Sequence, residues 1–77
     1  MDAKDYEAKQ HLFIYEINKI DADIKMLLEN RHIPGYDLNE AFKTVNENGI
    51  EELQAKRNTL TQKFTAFEDS IYDFLIS

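Results

Sequence analysis

Few side chains in this sequence have the type and spacing that chemistry requires. Glu7 and His11 stand four residues apart, so on a helix they would share one face and offer two metal ligands. A zinc site needs at least one further protein ligand. No residue is spaced to supply it, and the chain has no cysteine. Asp21 and Asp23 are two apart and do not face each other on a helix. Ser70 has no histidine near it in sequence to serve as a base. There is no glycine-rich phosphate loop, no paired-histidine zinc motif and no calcium loop. His11 reads as a surface residue, and His32 as a cap or a solvent-facing group at a turn. Arg31 and Arg57 are sharper, because each falls in an otherwise apolar stripe, where a charge costs stability and sets register or partner number. Asp21, Asp23, Glu40 and Glu47 are candidate partners for Arg57; alternatively its stem packs and its head reaches water. No catalytic, cofactor-binding or metal-binding residue is assigned, no cofactor is expected, and the expectation is a protein that is not an enzyme.

The elements that would hold these groups are helices. Only Pro34, Gly35 and Gly49 interrupt the chain. Before them, Tyr6, Gln10, Phe13, Ile17, Ile20, Ile24, Leu27 and Arg31 alternate steps of four and three, a heptad seam that predicts a helix over about 4–31. After them, Ile50, Leu53, Arg57, Leu60, Phe64, Phe67, Ile71 and Phe74 repeat the pattern and predict a helix over about 49–75. Asn48-Gly49 reads as the turn before it. Between the two, Asp37 and Glu40 resemble a capping box, and Leu38, Ala41, Phe42 and Val45 form one apolar face of a short connecting helix, about 38–46. Two long helices of similar length with a short connection favour an antiparallel pair. The expected fold is all-α: an antiparallel helical hairpin whose short helix covers the turn end. Phe64 and Phe67 are expected in its core.

Length and charge narrow the function. At 77 residues the chain is a single small helical domain, 1–77, of a size at which the core alone stabilises marginally. With 43% hydrophobic residues it is too apolar for a disordered tail, yet no run approaches a membrane span. The charged start lacks the apolar core of a signal peptide. A soluble, cytoplasmic protein is expected, with no membrane partner. A net charge of −6 argues against direct nucleic-acid binding and leaves room for a basic protein partner. The Ile, Asn and Lys usage fits an AT-rich bacterial or phage genome.

Two features lie outside the seams. Ala8, Leu12, Tyr15, Ala22 and Met26 form a second apolar row on the far side of the first helix, where one hairpin cannot cover it. The simplest occupant is a second copy, giving a homodimer that closes into a helical bundle. At the open end of the hairpin, aromatic residues gather with Asp2, Asp5, Glu7, Glu68, Asp69 and Asp73. This acidic, aromatic end, with Tyr72 and the apolar tail through Phe74, is a candidate docking site for a basic partner. Leu12, Tyr15, Met26, Asp2, Asp5, Glu68, Asp69, Tyr72 and Asp73 are the partner-binding candidates.

Residues 16–31, with Ile20-Asp21, Asp23-Ile24, Leu27-Leu28 and Arg31, resemble the first helix of the all-helical chorismate mutases, whose catalytic arginine Arg31 would match. The pattern departs from that family where its chemistry resides. No arginine precedes Arg31, and Pro34-Gly35 ends the helix where the family carries a lysine. In size and hairpin shape, though in no motif, the chain also resembles the needle subunits and small needle chaperones of type III secretion. The function expected is a non-catalytic protein–protein interaction module of the adaptor, chaperone or inhibitor type. It would bind through apolar helix faces and the acidic aromatic end. The alternatives are an acidic decoy that occupies a nucleic-acid site on a basic host protein, and a secretion needle-like subunit or chaperone.

Overall fold

The heptad period of the N-terminal segment is realised as α1, Ala3–Glu29, which tightens into a 3-10 turn over Asn30–His32. The computed structural model describes residues 3–76, and their side chains as far as residue 73. Asp2 lies outside the described residues, as does the side chain of Phe74. Ile33 is extended (φ −67°, ψ 128°), the conformation that the ring of a following proline imposes. Gly35 then adopts φ 83° and ψ 6°, which a side chain would disfavour, and the Tyr36 N–H donates to the Ile33 carbonyl at 3.0 Å. Pro34-Gly35 is thus the central pair of the tight turn that reverses the chain.

The second helix departs from the sequence-based expectation. After a 3-10 turn over Tyr36–Leu38, α2 runs unbroken from Glu40 to Ile76. The expected short helix over 38–46 is its first part, and Asn48-Gly49 is not a turn. A glycine inside a helix costs only about 1 kcal/mol relative to alanine, and here its missing β-carbon lets the helices approach. A β-carbon at Gly49 would lie 3.1 Å from Leu27 Cδ1. The cap also differs. Asn39, not Asp37, receives the Phe42 N–H on its Oδ1 at 3.1 Å, while its carbonyl receives the Lys43 N–H at 2.9 Å. Asp37 instead pairs with Lys43 Nζ at 3.3 Å.

α1 and α2 pack antiparallel along their seams. The molecule measures 58 × 17 × 13 Å, with a radius of gyration of 17.5 Å. A compact chain of this length would have about 11.5 Å. The seam residues Ile17, Ile20, Ile24 and Leu27 are half-buried, as are Leu53, Leu60, Phe64 and Phe67 opposite. Phe64 and Phe67 therefore lie in the seam without being enclosed, because two helices cannot surround a side chain. Among the described residues only Tyr36, Asn46 and Ile50 are buried, all at the turn end. The apolar face of 38–45 does not cover that end as expected. Leu38 and Val45 are 89% and 72% exposed, and only Phe42 turns its ring edge to Tyr36.

Candidate functional site

The helical period of α1 divides its apolar residues into two rows, and α2 covers only one. The other row stays open: Leu12, Tyr15 and Met26 are 58%, 66% and 57% exposed, and Ala8 and Ala22 are exposed beside them. No residue of α1 is buried. The structure thus brings Leu12, Tyr15 and Met26 together on one outward face, as expected.

The open end is held by aromatic packing. Tyr6 stacks on Phe67 at 5.5 Å between ring centroids, and Phe13 sits edge-on to Phe64 at 5.3 Å. Lys9 lies 5.9 Å from the Phe67 ring, at the outer limit of a cation–π contact. Of the candidate carboxylates here, Glu68 turns inward. It accepts hydrogen bonds from the Tyr6 hydroxyl at 2.8 Å and from Gln10 Nε2 at 3.4 Å. The bonded carboxylate holds the Tyr6 hydroxyl above its ordinary pKa. Asp5, Asp69 and Asp73 are exposed, and Tyr72 is 63% exposed. This end therefore divides into an inward-facing Glu68 that closes the hairpin and the exposed side chains of Asp5, Asp69, Tyr72 and Asp73.

The turn end holds a polar cluster that sequence reasoning missed. Asn46, with 3% exposure, donates from Nδ2 to the Leu27 carbonyl at 2.9 Å and to the Tyr36 hydroxyl at 3.1 Å. Its Oδ1 accepts from Asn30 Nδ2 at 2.8 Å. The Tyr36 hydroxyl donates to Glu47 at 2.7 Å, and Arg31 grips the same carboxylate with two bonds of 2.9 and 2.7 Å. The Arg31 guanidinium, and then the Tyr36 hydroxyl, draw Glu47 down to a pKa of about 2. Tyr36 is raised by its burial and by Glu47. Arg57 resolves the other question left by the seam: it forms an ion pair with Asp21, and the second contact, Nη2 to Oδ2, is 3.3 Å. Arg57 thus ties α2 to α1, and Arg31 ties the 3-10 turn after α1 to α2.

An open groove of about 840 Å³ runs along the hairpin, floored by Ile20, Leu53 and Leu60 and rimmed by Glu16, Asp23 and Lys56. Among the described residues, no three His, Asp or Glu side chains gather as a metal site would require, and no helix is long and apolar enough to cross a membrane. No family model matches the chain, and neither the curated proteins nor the solved structures give a match.

Proposed function

We propose that this protein is a non-catalytic protein–protein interaction module whose principal binding surface is the outer row of α1. One observation carries the reading: a chain of 9.1 kDa exposes 6044 Å², where a compact monomer of that mass would expose about 4,900 Å². The excess, about 1,100 Å², is comparable with the roughly 800 Å² that each partner buries in a stable interface. On α1 the large apolar side chains left exposed are Leu12, Ile14, Tyr15 and Met26. Leu12, Tyr15 and Met26 are the binding residues in this reading, and Asp5, Asp69, Tyr72 and Asp73 form a secondary acidic rim suited to a basic contact. A cytoplasmic setting accords with the lack of cysteine.

The test is affinity capture with immobilised wild-type protein and with Tyr15→Glu, at low and at high salt. Tyr15 is exposed, so the substitution leaves helicity unchanged by circular dichroism. The proposal expects a partner, whether another protein or a second copy, that wild type retains at high salt and Tyr15→Glu loses. Identical retention by both proteins contradicts it. Binding that vanishes with salt, and depends on Asp69 and Asp73 instead, contradicts it in favour of an acidic decoy.

A further inference from the structure

We infer that the outer row of α1 is occupied by α1 of a second copy, running antiparallel, in a register that sets Ala8 of one copy against Met26 of the other. This rests on the protein-binding reading above and names its partner. With the exposed Lys19 included, which also borders the groove beside α2, the row becomes Ala8, Leu12, Tyr15, Lys19, Ala22 and Met26, an unbroken alternation of four and three. It is a second heptad seam with no helix of its own chain against it.

The order of sizes and charges along that seam selects the pairing. In a parallel dimer each residue meets its own counterpart. Lys19 then faces Lys19, a like-charge contact, and two alanine layers leave gaps. In an antiparallel dimer with its two-fold axis level with residue 17, Ala8 meets Met26, Leu12 meets Ala22 and Tyr15 meets Lys19. Leu12 and Met26 then each face an alanine, and the Lys19 ammonium faces the Tyr15 phenol ring, which attracts it. One step beyond the row at each end, Asp5 of one copy meets Glu29 of the other, and this like-charge layer bounds the contact. A foreign helix could cover an apolar row of any order, whereas this order complements itself. The excess surface of about 1,100 Å² leaves room for the roughly 800 Å² that each partner buries in a stable dimer.

The chain has no cysteine, so introduced thiols report the geometry directly. Ala8→Cys and Met26→Cys, both at exposed positions, are purified separately, mixed, and oxidised in a glutathione buffer. The antiparallel register predicts a disulfide-linked dimer from the mixture and none from either variant alone, because like positions lie about 27 Å apart along the helix. A disulfide requires α-carbons within about 7 Å. Cross-linking of each variant to itself would overturn the register in favour of a parallel pair, leaving the protein-binding reading intact. No cross-link in any sample, together with a monomeric mass for the wild type, would overturn the second copy as occupant. Loss of a captured partner in Tyr15→Glu then decides separately whether the module reading survives.

Discussion

Gly49 of α2 faces Leu27 of α1 so closely that a β-carbon at residue 49 would stand 3.1 Å from Leu27 Cδ1. The glycine lies inside a continuous helix, so two effects compete on substitution. Alanine there gains about 1 kcal/mol of helix propensity. Against it stands a contact a few tenths of an ångström too tight, with the mobile end of a half-buried leucine. Gly49→Ala is therefore expected to raise stability by about 0.5 kcal/mol, and Gly49→Leu, which cannot be accommodated by that shift, to lower it by about 1 to 3 kcal/mol. Urea melts of the two variants check this. Were Gly49 a turn residue, both substitutions would destabilise.

Asn46 is the buried polar residue that joins both arms of the hairpin. Asn46→Ala removes its bonds to the Leu27 carbonyl, the Asn30 amide and the Tyr36 hydroxyl. Leaving buried groups without partners costs about 1 to 3 kcal/mol each where water cannot replace the bond. Asn30 is only half-buried and Tyr36 keeps Glu47, so the expected loss is about 2 to 4 kcal/mol in all. A denaturant melt reads it. A loss below about 1 kcal/mol would show that water satisfies the site.

Glu47 gives the hairpin a signature in acid. Its pKa is about 2 in the folded protein against 4.5 for an ordinary carboxyl. The folded value is the depressed one, so the stabilisation is fully present above about pH 4.5 and is lost as the pH falls toward 2. In Glu47→Gln the group no longer titrates. The expected outcome is a lower melting temperature than wild type at pH 7, with the two curves converging as the pH falls to about 2. Parallel curves over that range would mean that Glu47 does not hold Arg31 and Tyr36 in solution.

Much of this fold was legible in the chain. The alternation from Tyr6 to Leu27 and from Ile50 to Ile71 identifies the less exposed positions of both helices, since only one stripe of each can face the other. Pro34 and Gly35 mark the turn because their backbone preferences are local. What stayed hidden depended on contacts distant in sequence. Asn48-Gly49 carries a turn signal, and only the approach of Leu27 shows why a glycine belongs inside a helix there. One step of four back from Ile50 lands on Asn46, so continuing the seam through Gly49 would have placed an asparagine at a core position, where such a residue sets register. The candidate surface was readable where it depends on period, as for Leu12, Tyr15 and Met26. It was not readable for Glu68, which neighbours Asp69 in sequence but turns inward because Tyr6 and Gln10 lie across the hairpin.

If the outer row of α1 is an interface with a second copy, the protein is a dimer in solution. Light scattering on the purified protein, at low and at high salt, tests it most directly. The predicted result is twice the 9.1 kDa chain mass at both salts, falling to the single chain mass in Tyr15→Glu. A wild-type mass of 9.1 kDa at every concentration would contradict it.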